Sequence, residues 1–358
     1  KLDELKDKIP EIIIPGTNIV EPRKDSDFVK SVVGIPFENN IPDGDWSADF
    51  GTYQPQKYGL WDSNCCWNLS GVNDIEDQCD FLKRIGKIPA SYLKWFSDNG
   101  YFDDEGNFAF SERFLEAQAV YSDGSPSLSN GNSQWYFWQL VNQYGLLPRK
   151  DFYYTIPTPP EGSRTSFDAH YFNKGLITDV MRAKALKVLD YLQIQYQWVG
   201  AEEYVMQSLL EMRHALQQSP LGIGVPVCIS TWNSGKVIYC GSKTVQHAVE
   251  LYKIGDDGTF YIFDQYEPHL KTLSPDYWIP YVTQGVVTIV PEKPTPSEWY
   301  HKFEVDLNYK DFGEEVRNMQ TALSFLGYIE PKYITGNYLN HSRIAVYNFQ
   351  KDRNVYNY

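Results

Sequence analysis

The chain has 358 residues, and a typical domain size of about 150 residues predicts one large domain with something smaller. It carries 32 basic and 46 acidic residues, and the net charge of −14 argues against nucleic acid or an anionic membrane as the main partner. Hydrophobic residues make up 42% and charged residues 22%, which excludes a disordered chain. Aromatic residues reach 16%, an excess that suits both a core and an extended binding groove.

The cysteine count and the apolar runs bound the cellular context. Five cysteines are an odd, low number, which does not indicate a disulfide framework and leaves at least one thiol free or paired outside the chain. No apolar run approaches the roughly 18 residues of a membrane-spanning helix, and no signal-peptide pattern is visible. We therefore expect no membrane partner, and a chain that begins at Lys1 suggests a processed or cut product.

Helical patterns dominate the first half of the chain. Residues 1–40 are mixed in charge and interrupted by prolines, which predicts an N-terminal arm or extension. From 41 onwards apolar residues recur at spacings of three and four, the period of an amphipathic helix. The predicted helix faces are Leu69, Val72, Ile75, Cys79 and Leu82 (a helix over 67–85, stopped by Gly86 and Pro89); Trp135, Trp138 and Val141, before Gly145; Ile177, Val180, Met181, Leu189 and Leu192; and Val205, Leu209, Met212 and Leu216.

Short β-rich runs replace the helical pattern after residue 220. They are separated by Gly, Asn and Asp, as strands of an antiparallel sheet usually are. The runs are GIGVPVCIS, KVIYC, HAVELYKI, TFYIFDQY and GVVTIVP, and GDDG at 255–258 predicts a hairpin turn. Helices followed by an antiparallel sheet predict an α+β domain with two lobes over 41–290.

A proline-rich stretch predicts a stiff linker over 291–303. Beyond it, apolar residues return to helical spacing before Gly327, and a second short helix begins near Ile344 and Tyr347. The apolar positions of the first helix are Val316, Met319, Leu323 and Leu326. We expect a small helical module over 304–358.

One set of residues has the types and placement that nucleophilic catalysis needs. Cys66 directly precedes the helix predicted over 67–85, where the unpaired N–H groups favour a thiolate. His247 begins a predicted strand, and its imidazole can pair with that thiolate and later protonate a leaving amine. Asp264 follows 17 residues later across the predicted hairpin, which places it where it can fix the imidazole tautomer.

Structural interpretations remain for the other thiols and imidazoles. Free cysteine is among the most buried residue types, so we read Cys65, Cys79, Cys228 and Cys240 as structural. The remaining histidines (170, 214, 269, 301 and 341) show no metal-ligand spacing. We expect no metal and no other cofactor.

At these residues the chain resembles the papain-like cysteine peptidases. The segments that carry the resemblance are IPDGDW (41–46), CWNLS (66–70), NGNSQWYFWQLVNQYGLLPRKDFYY (130–154), QHAVELYKI (246–254) and FDQY (263–266). The resemblance implies a two-lobed papain-like fold and hydrolysis of peptide bonds. It also implies substrate contacts for Trp67, Gly131, Asn132, Gln246 and Tyr266.

The sequence departs from the family pattern at several of these points. Cys66 and His247 are 181 residues apart, against roughly 130–150 expected, and an insertion around 161–205 accounts for the excess. The family's oxyanion-hole Gln is replaced by Leu60, and Gln56 is our candidate for its role, with Gln54 behind it. Asp264 replaces an Asn, Tyr266 replaces a Trp that screens the pair from water, and one glycine of a pair survives as Gly131 beside Asn132. No inhibitory propeptide is recognisable in residues 1–40.

The C-terminal module resembles the peptidoglycan-binding helical domain, through GEEVRNMQTALSFLGYI (313–329) and ITGNYLNHSRIAVYNFQKDRNV (334–355). The two resemblances together imply a thiol hydrolase that cleaves peptide or peptidoglycan cross-link amides at the bacterial cell wall, of the bacteriophage lysin or virion-associated type. Residues 1–40 would then contact virion or tail proteins. The alternative is a catalytically inactive papain-like component of a virion or another assembly.

Overall fold

The computed structural model describes residues 41–51, 53–58, 61–119, 131–154, 164–200, 207–237, 240–292 and 307–352. The chain divides into two units, residues 1–290 and 291–358, each with its own internal contacts. The expected arm over 1–40, residues 293–303 of the expected linker, Leu60 and Val205 lie outside the described residues.

Helices make up most of the first half of the larger unit. Those described are α1 (Cys66–Arg84), α2 (Ala90–Asp98), α3 (Glu112–Gln118), α4 (Gln134–Tyr144), α5 (Arg164–Tyr171), α6 (Asp179–Lys187), α7 (Leu209–Leu216) and α8 (Ile229–Trp232). Short 3₁₀ segments cover Arg149–Asp151, Lys174–Leu176 and Val188–Asp190.

Nine strands are described, and seven of them form one sheet. They are β1 (Lys57–Tyr58), β2 (Trp61–Asp62), β3 (Leu192–Trp198), β4 (Leu221–Val225), β5 (Lys236–Val237), β6 (His247–Ile254), β7 (Phe260–Phe263), β8 (Leu270–Leu273) and β9 (Tyr281–Ile289). The sheet order is β3-β9-β4-β6-β7-β8-β5, and β1 pairs with β2 separately. Every pair in the sheet is antiparallel except β5 with β8.

Helix α1 joins the helical part to the sheet. It contacts α3 and α4 as well as β4, β6 and β9, and every residue from Cys66 to Leu82 is buried. A helix surrounded by protein on all sides needs apolar residues beyond one stripe, and its polar side chains need partners inside the fold. The start of α1 is thereby held against β6, the strand that begins with His247.

The α+β prediction is confirmed, because a helical part packs on an antiparallel-rich sheet. The hairpin predicted at 255–258 joins β6 to β7, with Gly258 at a φ of +88°. The third predicted helix was wrong at its end, because a 3₁₀ segment follows α6 only to Asp190 and Leu192 begins a strand that pairs with β9 over seven residues. Residues Ile229–Trp232 are helical, not extended, and β8 had no counterpart in the sequence prediction.

Cysteine pairing differs from the expectation. Cys228 and Cys240 form a disulfide, with their Cα atoms 5.6 Å apart, a separation that suits such a bond. The chain between them turns back through α8 and β5, a return that cysteine spacing alone does not reveal. Cys65, Cys66 and Cys79 are buried and form no disulfide with any described cysteine.

The smaller unit is helical where it is described. Helix α9 (Glu314–Phe325) and helix α10 (Asn340–Asp352) flank a 3₁₀ segment at Pro331–Tyr333. Both helices occur where the apolar spacing predicted them. Their core contains Val316, Met319, Leu323, Ile329, Tyr338 and Ala345.

Candidate active site

The candidate nucleophile is the first residue of α1. Cys65 precedes it, and the Cys65 carbonyl accepts hydrogen bonds from the N–H groups of Asn68 and Leu69, both at 2.9 Å. Asn64, one residue earlier, has a φ of +56°, and asparagine tolerates this left-handed conformation better than most residues. The chain can therefore turn sharply into the helix, and the Cys66 side chain ends up with no exposed surface.

His247 and Asp264 come together as the hairpin predicts. The two residues belong to the β6–β7 arm, and His247 Nε2 lies 2.7 Å from Asp264 Oδ1. The His247 ring also hydrogen-bonds the Cys66 side chain. Because Nε2 is engaged by Asp264, the ring nitrogen left for the thiol is Nδ1. The structure thus brings the three predicted catalytic residues into one continuous chain of contacts.

Charge at this site is set by partners in spite of burial. Burial disfavours a charged His247, but the Asp264 carboxylate and the Cys66 side chain outweigh it and raise the pKa of His247 to about 10. Burial likewise opposes an ionised Asp264, yet His247 and Lys271 lower its pKa to about 2. An imidazolium–carboxylate pair is the state that these shifts favour at neutral pH.

Two residues that sequence reasoning missed complete the surroundings of Asp264. Its Oδ2 atom accepts hydrogen bonds from Trp232 Nε1 at 2.6 Å and from Lys271 Nζ at 2.8 Å. Lys271 lies on β8, in register with Ile262 of β7. A prediction of the short strand β8 would have placed this lysine beside Asp264, whereas no local signal marks Trp232.

Aromatic rings flank the imidazole. The Tyr266 ring centroid lies 5.4 Å from that of His247, and the Trp232 ring meets the imidazole edge-on at 5.7 Å. The Tyr266 hydroxyl donates a hydrogen bond to Asp62. Tyr266, which replaces the family's Trp, and Trp232 therefore both lie beside the imidazole.

The expected oxyanion donor points to a different partner in this structure. Gln56 is buried, and its Nε2 donates to Asp62 Oδ1 at 3.0 Å. Gln54 donates to Glu76 and to the Phe110 carbonyl, at 3.2 and 3.0 Å. Gln56 is linked to the Tyr266 side of the site through Asp62, and its oxyanion role stays a prediction.

The other residues expected to contact substrate take part in packing and hydrogen bonds around the site. Trp67 is fully buried and stacks on Tyr136, with centroids 6.2 Å apart. Gly131 has a φ of +62°, and Asn132 Oδ1 accepts from the Ser133 N–H at 2.9 Å. Gln246 Oε1 accepts from the Val227 N–H at 2.9 Å. Their contact with substrate also stays a prediction.

The described part of the chain shows neither a metal cluster nor a membrane-spanning helix. In it, no three His, Cys, Asp or Glu side chains come together in a way that could hold a metal ion. None of the described helices is long and apolar enough to cross a membrane.

Comparison with known proteins finds similarity only among solved structures. No family model matches the chain, and no curated protein matches it. Xylellain, a cysteine protease from Xylella fastidiosa, is 15% identical with a TM-score of 0.47, covering 76% of this chain and 91% of that one. The Amb a 11 cysteine protease, a ragweed pollen allergen solved in its proform, is 15% identical with a TM-score of 0.43, covering 80% and 73%.

A third similar structure contains the cysteine protease and lectin-like domains of Cwp84, a surface layer associated protein of Clostridium difficile. It is 14% identical with a TM-score of 0.44, and the match covers 68% of this chain and 51% of that one. At identities this low, the chemistry of the present chain has to be argued from its own residues.

Proposed function

We propose that residues 41–290 form a cysteine peptidase that hydrolyses peptide amide bonds. The observation that supports it most is the arrangement at the start of α1: Cys66 contacts His247, whose Nε2 is 2.7 Å from Asp264 Oδ1. A nucleophile, a general base and an orienting carboxylate in hydrogen-bond contact are what nucleophilic acyl transfer requires.

The proposed reaction has two steps. The Cys66 thiolate attacks the carbonyl carbon, and the His247 imidazolium donates its proton to the departing amine, which leaves a thioester on Cys66. Water then attacks the thioester while His247 takes its proton, which releases the acid and restores the thiolate–imidazolium pair. Asp264 keeps the imidazole in place through both steps. The Cys66 backbone N–H and the Gln56 amide would stabilise the oxyanion, for which Gln56 must turn away from Asp62.

Access is a requirement of the proposal. Cys66 has no exposed surface, and His247 is 5% exposed. A substrate carbonyl therefore has to reach a sulfur that is buried in this conformation. The peptidase should react faster with small thiol reagents than with long peptides while the sulfur stays buried.

The test of the peptidase proposal uses the full chain and a mixture of peptides. Wild-type protein should be alkylated at Cys66 near pH 6 by iodoacetamide, mapped by mass spectrometry, and alkylation should abolish peptide cleavage. The matched control is Cys65→Ser, which removes the adjacent buried thiol and should leave cleavage intact. Cleavage that survives in Cys66→Ala would overturn the proposal.

We further propose that the substrate is a peptide or peptidoglycan cross-link of the bacterial cell wall, and that the chain comes from a bacteriophage lysin or virion-associated enzyme. The resemblance of residues 313–355 to a peptidoglycan-binding domain supports this, since such a module would concentrate the peptidase on the wall. Digestion of purified sacculi should release peptides with new amino termini for wild type and none for Cys66→Ala. Cleavage of soluble peptides without any release from sacculi would contradict the wall proposal and leave the peptidase proposal standing.

A second candidate function is a catalytically inactive component of a virion or other assembly. The complete burial of Cys66 favours it, because an inactive protein has no need to expose its thiol. In that case Cys66 should resist iodoacetamide in the folded protein and react only after denaturation. Rapid alkylation of native protein at this residue would exclude the candidate.

A further inference from the structure

A buried ammonium group lies directly behind the candidate catalytic residues. The Lys271 side chain has no exposed surface, and three oxygens surround its Nζ. These are Asp264 Oδ2 at 2.8 Å and the carbonyls of Tyr266 and Pro268, both at 2.5 Å. An ammonium has three N–H donors, so each finds an acceptor here.

The Asp264 carboxylate is equally well engaged. Oδ1 receives His247 Nε2 at 2.7 Å and the Tyr266 N–H at 3.3 Å, and Oδ2 receives Trp232 Nε1 and Lys271 Nζ. Four donors thus fill the acceptor positions of one buried carboxylate. The group cannot rotate without breaking several charge-assisted hydrogen bonds at once.

The charge balance of this arrangement carries the inference. An isolated buried carboxylate would attract the imidazolium strongly and resist the step in which His247 gives up its proton. Lys271 supplies one positive charge to Asp264 at 2.8 Å, so that the orienting unit is neutral as a whole. A neutral unit still accepts the Nε2 hydrogen bond while leaving the imidazole free to cycle between its two protonation states.

We propose that Lys271 is a positioning residue of the peptidase. Its positive charge compensates the charge of Asp264, and its hydrogen bond fixes the orientation of the Asp264 carboxylate. The carboxylate can then hold the His247 ring in place. The inference rests on the proposed function and adds to it a residue that does not touch the substrate. Other titratable groups around the pair also contribute to the local field: Cys66, Asp62, Tyr53, Tyr266, Glu267 and His269. They remain unchanged in the variants below.

A double-mutant cycle separates charge neutralisation from simple support of the fold. Lys271→Met removes the cation, Asp264→Asn removes the anion, and the double variant removes both. The readouts are kcat/KM between pH 4 and 10 and the titration of the His247 imidazole followed by NMR. Lys253→Met is the matched control, because Lys253 also pairs with an aspartate, Asp45, at 2.7 Å on a partly exposed part of β6.

The expected results follow from the sign of each charge. Asp264→Asn leaves an unpaired buried cation. This should shift the alkaline limb of the kcat/KM profile to lower pH by about one unit or more and reduce kcat/KM about tenfold or more. Lys271→Met should move the limb in the opposite direction. The double variant should have its alkaline limb at a higher pH than Asp264→Asn by about one unit, and it should regain part of the activity lost in that variant. The control should leave both unchanged.

Two results would overturn the inference. One is a double variant whose pH profile and activity equal those of Asp264→Asn, since Lys271 would then exert no electrostatic effect on His247. The other, which does not need the Asp264→Asn variant, is a Lys271→Met variant in which the pKa of His247 is unchanged or lower than in wild type, because removal of a cation beside Asp264 should raise it. If wild-type protein cleaves no amide at all, the proposed function fails, whereas the NMR titration in the same variants still decides the role of Lys271.

Discussion

The contact between α1 and β6 has two regions with buried charged groups, and these regions differ in whether oppositely charged partners are present. At the start of α1, Cys66 faces His247 of β6, and the charges there are matched by Asp264 and Lys271. Further along α1, buried carboxyl groups face Glu250 of the same strand. These groups are Asp74, Glu76 and Asp77, with Asp80 at their edge.

Among the described residues, no lysine or arginine forms an ion pair with the carboxyl groups at the centre of this second region, although the charge of Arg149 acts on Glu76. Within the part of the chain that the structure describes, neither carboxyl oxygen of Asp74 has a hydrogen-bond partner. Asp77 and Glu250 are close enough for their carboxylates to repel each other, and neither carboxyl oxygen of Glu250 has a hydrogen-bond partner among the described residues. Burial, followed by repulsion between the carboxylates, raises the pKa of Asp74 and Asp77 well above the usual range.

Comparison of the two regions indicates that neighbouring charged groups, more than burial, decide whether a buried carboxyl group is ionised in this fold. Asp264 and Asp74 are both almost fully buried, yet the pKa of one is lowered to about 2 and that of the other is raised. A carboxyl with a lysine and a histidine beside it stays ionised, and one among other carboxyls stays protonated. The first region can serve catalysis because it has a stable charge pattern at neutral pH.

The largest expected effect comes from breaking the matched region. Asp264→Ala leaves Lys271 buried without its partner and His247 without its acceptor. We expect kcat/KM to fall by about 10² to 10⁴ and the free energy of unfolding to fall by about 3–5 kcal/mol. Steady-state kinetics and urea denaturation measure the two. Asp256→Ala, at an exposed position in the β6–β7 turn, should change neither by a comparable amount.

Removing a buried carboxyl group from the second region should increase the free energy of unfolding. Asp74→Asn removes a group that must ionise on unfolding above about pH 4 but stays protonated in the fold, so the variant should be more stable at pH 8 by about 1–3 kcal/mol. At pH 4 the gain should shrink, because the unfolded carboxyl is then partly protonated as well. Urea denaturation at both pH values checks this, with Asp256→Asn as the control. An equal effect at the two pH values would contradict the contrast.

The pH dependence of wild-type stability sharpens the comparison further. The His247 contribution is present below about pH 6.5 and is lost as the pH rises through about 10, while the Asp264 contribution is present above about pH 3.8 and is lost as the pH falls through about 2. The raised pKa values of Asp74, Asp77 and Glu250 make stability decline as the pH rises above about 4. Denaturation between pH 3 and 9 should therefore show a maximum at mildly acidic pH, and a maximum above pH 8 would be inconsistent with it.

The smallest effect is expected where one hydrogen bond is removed and charge is left unchanged. Trp232→Phe loses the Nε1 donor to Asp264 Oδ2 but keeps an aromatic ring beside His247. A hydrogen bond to a charged group contributes about 1.5–3 kcal/mol. Because Lys271 still donates a hydrogen bond to the same oxygen, we expect a reduction in kcat of about 3- to 10-fold with little change in KM. A loss as large as that of Asp264→Ala would mean that Trp232 acts by more than this bond.

The features that sequence patterns predicted are the local ones. Apolar spacing predicted a helix over 67–85 directly after Cys66, within one residue of the observed α1, and GDDG predicted the β6–β7 hairpin that brings His247 to Asp264. Each depends on residues within about 20 positions along the chain. The same local reasoning located the apolar helices of the smaller unit.

Features that depend on distant strands could not be predicted in this way. Lys271 reaches Asp264 only because the four-residue strand β8 returns beside β7, and Trp232 arrives from a segment closed by a disulfide. The helix predicted through Leu192 gave way to strand pairing with β9, almost 100 residues away.

We propose that Cys66 and His247 react as a thiolate–imidazolium pair. The most direct measurement is the rate of Cys66 alkylation by iodoacetamide in native protein between pH 4 and 9, with peptide mapping and with peptide cleavage followed in parallel. We expect fast, stoichiometric alkylation already near pH 6, loss of cleavage in step with it, and a much slower rate in His247→Ala. A rate that rises only above about pH 8, as for an ordinary thiol, and is unaffected by His247→Ala would contradict it.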